Sequence, residues 1–263
     1  MPSSRSGTVP ADLTLTVLAV CVIAAFVAGF VDAVAGGGGL IQLPVLLAVF
    51  PTLPLATVSG TNKSVSVVGT TGASIAYARR VPMQWRIVVP MALCAFAGSA
   101  SGAALVTLID RAAFEPVIMV LLIGVTVFTL MRPDFGSVHR GTSRGPGTAA
   151  AVGAGLGFYD GIMGPGTGMF LVLGLIAALG ASFLGASATA KFVNVATNLA
   201  ALAVFVPGGH VIWALTAAMA PANLLGGVVG ARTAMNRGST FVRAVFLAMI
   251  ALMITRLAIS LRS

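Results

Sequence analysis

Asp32 and Asp160 are the only acids well inside apolar segments of this chain, and each is followed, one helical turn on, by a run of glycines. Residues 29–39 read GFVDAVAGGGG and residues 157–168 read GFYDGIMGPGTG. Gly36, Gly37, Gly38 and Gly39 in succession make a continuous helix costly, at about 1 kcal/mol each relative to alanine. Broken backbone at membrane depth is tolerated only where protein buries it or a cavity meets it. A helix restarting at Leu40 would aim free N–H groups and the positive end of its dipole at that cavity, which suits an anion. Gly164, Gly166 and Gly168 repeat the device, and Thr167 adds a hydroxyl donor. Close helix packing through small residues is the simpler reading of the same glycines.

The two lysines of the chain, Lys63 and Lys191, each open a polar stripe at helical spacing. Lys191, Asn194 and Asn198 stand at i, i+3 and i+7, and Lys63, Ser66 and Thr70 do the same, with Asn62 beside them. A lysine in the membrane costs at least about 2.5 kcal/mol, so it calls for a partner or water. The alternative is a lysine snorkelling from near the helix start. One Asp and one Lys per half suggest a neutral ion pair. A substrate anion would then compete for the lysine while Asp32 or Asp160 takes a proton. A purely structural ion pair is the competing reading.

The elements that must hold these groups are membrane helices. Of 263 residues, 58% are hydrophobic and 8% charged, with a mean hydropathy of +1.04. A soluble domain carries about 25% charged residues. The apolar stretches run near 13–50, 57–78, 86–109, 113–131, 149–180, 184–206, 211–231 and 241–261. They are apolar all round and span-length, as helices are and barrel strands are not. The net charge of +9 resides in arginines of short loops, which reads as a topology signal and not as a nucleic-acid footprint. No cleavable leader is evident. Cys21 and Cys94 read as small apolar residues, and His139 and His210 as solvated loop residues. No nucleophile–His–acid set, P-loop, HExxH or CxxC occurs, so neither an enzyme nor a cofactor or metal is expected.

The halves are repeats. A constant shift of 128 carries Asp32 to Asp160, Gly36 to Gly164, Lys63 to Lys191, Trp85 to Trp213, Gly98 to Gly226 and Gly102 to Gly230. Both lysines and both tryptophans obey it, which chance glycine alignment does not explain. Gly98/Gly102 and Gly226/Gly230 read as packing glycines without polar company. Equivalent loops differ in charge. Arg79, Arg80 and Arg86 occupy the loop at 79–86, whereas its equivalent at 207–210 has no Lys or Arg. Asp110, Arg111 and Glu115 occupy the loop at 110–115, whereas Arg232, Arg237 and Arg243 occupy its equivalent. Opposite character implies opposite sides, hence inverted repeats with an odd number of crossings each. With the linker, nine arginines fall on the inside. At 1.5 Å per residue a 38-residue first segment is about 57 Å long, so it should supply two crossings, or one plus a re-entrant element.

The expected fold is thus an all-α polytopic membrane protein of two inverted repeats of about five helical segments each, the first segments broken at Gly-rich loops. The first repeat takes 13–131, a cytoplasmic linker 132–148 and the second repeat 149–262, with both termini extracytoplasmic.

At Gly29-x-x-Asp32 with the glycines to Leu40-Ile41, at Gly60-Thr-Asn-Lys63, at Gly157-x-Tyr-Asp-Gly161 with Gly164–Gly168, and at Ala188-Thr-Ala-Lys191 with Asn194 and Asn198, the chain resembles the TauE/SafE sulfite exporter family of membrane transporters. The resemblance covers about 15–262. It implies a bacterial inner-membrane secondary transporter, an exporter of sulfite, sulfoacetate or another small sulfur-containing anion. Such an anion would bind between the two breaks. Leu43-Pro44 follows the first break and Val172-Leu173 the second, so the half-sites differ. The expected partners are a small anionic substrate and the bilayer, with no nucleic acid; homo-oligomerisation is open. A passive anion channel, a non-transporting scaffold or assembly subunit, and a cation transporter using Asp32 and Asp160 are the rivals. The lysines oppose the last.

Overall fold

The computed structural model describes residues 14–108, 145–162 and 164–260. These form eight helices and no strand: α1 Leu15–Ala35, α2 Gly39–Val49, α3 Leu55–Ala78, α4 Trp85–Val106, α5 Pro146–Ile162, α6 Thr167–Leu179, α7 Phe183–Phe205 and α8 Trp213–Ser260. The apolar stretch at 113–131, the loop at 110–115 and most of the 132–148 linker lie outside the described residues. The last linker residues, from Pro146, already belong to α5.

Four helical stretches are long and apolar enough to cross a membrane: α1, α4, α7 and Trp213–Val245 of α8. The chain is therefore an all-helical polytopic membrane protein. α3 has 24 residues but is too polar to join that set; Ser59, Thr61, Asn62, Lys63, Ser64, Thr70 and Ser74 turn inward and are buried. Each long first segment breaks at its glycines, as expected. α1 of 21 residues is followed by α2 of 11, and α5 of 17 by α6 of 13. At 1.5 Å per residue α2 and α6 are about 16–20 Å long, so neither crosses a core of about 30 Å.

One expected loop is shortened to a kink. The apolar stretches 211–231 and 241–261 leave a connection at 232–240; within the range of α8 two helices meet there at Gly238, whose backbone (φ 73°, ψ −171°) is not helical. A left-handed glycine redirects a helix without the polar residues that announce a loop.

The halves interlock. α1 packs on α8, and its mate under the 128 shift, α5, packs on α4, the mate of α8. The closest approaches correspond too: a Cβ on Gly29 would lie 2.2 Å from Asn223 O, and one on Gly157 would lie 2.2 Å from Ala95 O. Gly98 and Gly226 meet backbone of Ala154 and Phe26 in the same way, so these glycines do pack helices. In the middle, α3 and α7 cross. Leu55 and Ala56 at the start of α3 share a core cluster with Ala201 and Phe205 at the end of α7. Ala73 and Tyr77 near the end of α3 share another with Phe183 and Ala186 at the start of α7. The two mates therefore run antiparallel. By contrast α3 and the part of α8 before Gly238 run together: Ser64 bonds Thr216 toward their starts, and Arg80, just past the end of α3, bonds Asn236 just before the kink.

Candidate functional site

The two breaks meet. α1 stops at Gly36, whose left-handed backbone (φ 82°) caps the helix. A Cβ there would stand 2.2 Å from the carbonyl carbon of Gly168, so the two glycine backbones touch. The carbonyls that the end of α1 leaves without helical partners are taken up by side chains. Tyr77 Oη donates to Ala33 O at 2.9 Å and Ser187 Oγ to Val34 O at 3.2 Å. On the other break, Tyr159 Oη donates to Pro165 O at 2.8 Å. Side chains from α3, α5 and α7 thus hold the non-helical backbone in place.

Both lysines are buried and both are paired, but across the halves and not within them. Lys191 donates to Asp32 Oδ2 at 2.8 Å, and Lys63 Nζ lies 2.6 Å from Asp160 Oδ2. The second contact is an approach of opposite charges off the hydrogen-bonding direction, since Asp160 Oδ2 has no aligned donor. The pairing within each half suggested by one Asp and one Lys per repeat is corrected to a reciprocal exchange. The reason is the interlock, which places α1 against the second repeat and α5 against the first. Neither lysine snorkels: their side chains are 5% and 0% exposed.

Between the breaks lies a cavity of about 20 Å³, room for about one water molecule. Asp32, Gly36, Gly38, Gly39, Asn62, Lys63, Asp160, Gly164, Gly168, Asn194 and Asn198 of the sequence-derived set line it, with Ser66 of the same stripe. Lys191 does not line it but reaches its wall through Asp32. Gly37, Gly166 and Thr167 stand apart. Thr167 Oγ1 donates to Gly164 O at 3.0 Å, so the expected donor is spent within its own turn. Asn198 Nδ2 donates to Thr70 Oγ1 at 3.3 Å; these are mates under the shift and mark where α3 crosses α7. Asn62 Oδ1 is buried without a hydrogen-bond partner. Turning that amide over would present its N–H donors instead.

Asn223 was missed. It lines the cavity and donates to Ala25 O at 2.8 Å and Gln42 Oε1 at 3.0 Å. Gln42 in turn donates to Asn62 O at 3.4 Å. The signal was available: Asn223 is an amide inside an apolar span, one turn before Gly226, in a stretch read as lacking polar company. Its mate is Ala95, so symmetry gave no second copy to notice. His210, expected in solvent, is instead half-buried: Nδ1 lies 3.4 Å from Thr57 Oγ1 and the ring meets the edge of Phe205. Among the described residues no cluster of His, Cys, Asp or Glu could hold a metal ion.

The arrangement is a buried polar chamber with two ion pairs in its wall. The family model described as sulfite exporter TauE/SafE matches residues 21–257. A probable membrane transporter protein, ORF9, of a Sinorhizobium species is 38% identical over 234 residues, 88% of each chain. A probable membrane transporter protein of Haemophilus influenzae is 35% identical, over 88% of this chain and 91% of the relative. The probable membrane transporter protein YfcA of Escherichia coli is 32% identical, over 91% and 89%. No solved structure matches the chain. The extent of the match, together with the paired breaks, places the chain in the TauE/SafE family, as a membrane transporter and not an enzyme.

Proposed function

We propose that the protein is a secondary transporter, working as an exporter, for a small anion such as sulfite, sulfoacetate or another sulfur-containing organic anion. It works by alternating access of two inverted repeats in a bacterial inner membrane, with both termini outside. The observation that carries this reading is the reciprocal pairing of Lys63 with Asp160 and Lys191 with Asp32 around one chamber between the breaks. An anion entering the chamber competes for a lysine, and the aspartate it displaces takes up a proton, so that net charge at the site is kept. Asn62, Asn194 and Asn198 supply amide donors, and Gly36–Gly39 and Gly164–Gly168 let backbone approach. The inverted arrangement is supported by the antiparallel run of α3 and α7 and by the opposite loop charges.

A passive channel needs a continuous lumen. The chamber of about 20 Å³ is too small for such an anion, so the site must change shape to load, which favours a transporter. Proteoliposomes loaded with sulfite or sulfoacetate test the assignment. Lys63→Ala and Lys191→Ala should each abolish flux against a gradient; unchanged flux in both removes the site. Reporter fusions at Gly136 and Gly209 test the topology. They should report opposite sides, and a shared side would sink the inversion.

A further inference from the structure

A second basic site lies away from the chamber. A groove of about 260 Å³ between α3 and α8 is walled by Gly72, Ile75, Ala76, Val228 and Met235, with Arg79, Arg80 and Arg232 at its end. Charge balance sets it apart. The chain has six acidic residues; of these only Asp32 and Asp160 are among the described residues, and each is committed to a lysine. No described carboxylate therefore neutralises the three guanidinium groups. Among the described residues, Arg80 has one polar side-chain partner, Asn236 Oδ1, to which it donates at 3.4 Å.

The groove is also at the right depth for a headgroup. Arg232 stands 19 residues after Trp213, about 28 Å along the helix, so the two lie near opposite faces of a core about 30 Å thick. Trp213 is exposed at the start of α8, as an interfacial anchor is. Ile75 on the groove wall is half exposed to the surroundings. An apolar trough ending in three arginines that no described carboxylate neutralises complements one kind of molecule: a phosphate diester carrying acyl chains.

We propose that this groove binds an anionic phospholipid, phosphatidylglycerol being the simplest, with its phosphate on Arg79, Arg80 and Arg232 and an acyl chain against Gly72, Ile75 and Val228. The lipid bridges the far end of α3, from the first repeat, and the stretch of α8 before Gly238, from the second. The inference is independent of which anion is carried, and its test does not use transport.

The detergent-purified full chain is titrated with phosphatidylglycerol, phosphatidylcholine and inorganic phosphate, with thermal unfolding and native mass spectrometry as readouts. Phosphatidylglycerol should raise the melting temperature and stay bound, while the other two should not. The triple variant R79Q/R80Q/R232Q should weaken that binding roughly a hundredfold, at about 1 kcal/mol per arginine. The triple variant R86Q/R237Q/R243Q, which removes the same charge elsewhere, should keep it. If the first triple variant does not stay monodisperse, Arg232→Gln alone should still weaken binding roughly fivefold. Equal stabilisation by phosphatidylcholine overturns the headgroup assignment. Equal stabilisation by inorganic phosphate makes the site one for free anions and overturns the lipid. Unchanged affinity in Arg232→Gln, or equal loss in both triple variants, overturns the location.

Discussion

The two ion pairs are mates under one symmetry, yet they differ in access. The Asp32 side chain is 19% exposed and accepts an aligned hydrogen bond from a fully buried Lys191. Asp160 is 2% exposed and meets Lys63 off axis. The first carboxylate is partly open to its surroundings; the second is almost wholly buried and faces only the small cavity. Identical chemistry is thus placed in two environments. The glycine mates differ in the same sense. Gly36 is pressed on the Gly168 backbone, whereas a Cβ on Gly164 would meet the end of the Lys63 side chain at 3.4 Å and Asp160 O at 3.8 Å, both ordinary contacts.

The largest effect is expected from stranding the more buried carboxylate. Lys63→Ala leaves Asp160 buried and unpaired, and should destabilise the protein by about 3–5 kcal/mol, read as a collapse of the melting temperature in detergent. Replacing both partners, as Lys63→Met with Asp160→Leu, should recover most of that loss, since an apolar pair of similar volume is often neutral. A double variant as unstable as the single one would show that the pair is not the cause. Next comes Gly36→Ala, where backbone contact adds to the cost of a left-handed residue, about 1–2 kcal/mol. Gly164→Ala should cost only that strain, and equal losses in the two would erase the glycine comparison.

Lys191→Ala should cost less than Lys63→Ala, roughly 1–3 kcal/mol, because Asp32 is partly open to its surroundings. Urea or thermal denaturation of both variants side by side checks the order, and a reversed order would mean that exposure of the carboxylate does not govern the pair. The smallest effect is at the symmetry contact. Thr70→Val removes the acceptor of Asn198 Nδ2 and should cost about 1 kcal/mol, while Thr70→Ser should be close to silent. Loss in the serine variant equal to that in the valine variant would point to the methyl group's packing and not to the hydrogen bond.

Much of the site was legible because membranes punish polar residues. Asp32, Asp160, Lys63 and Lys191 stand out from apolar sequence, and helical spacing put Asn194 and Asn198 on the same stripe as Lys191. Asn223 and Gln42 escaped because neither has a polar mate under the shift, and periodicity within a single helix cannot show which helices will face each other. The break within α8 was legible as the gap between the apolar stretches 211–231 and 241–261, but only the backbone shows that it narrows to a kink at Gly238.

Composition, repeat spacing and the cost of charge in hydrocarbon determined, from the sequence alone, that this is a helical membrane protein of two related halves with its polar residues gathered at two glycine breaks. Local sequence could not say which lysine meets which aspartate. That was decided by the tertiary interlock of α1 on α8 and α5 on α4, where glycines let backbones approach closely enough to carry each aspartate into the opposite half. The difference in access between the pairs is likewise tertiary, because it depends on what covers each carboxylate and not on the residues beside it in the chain.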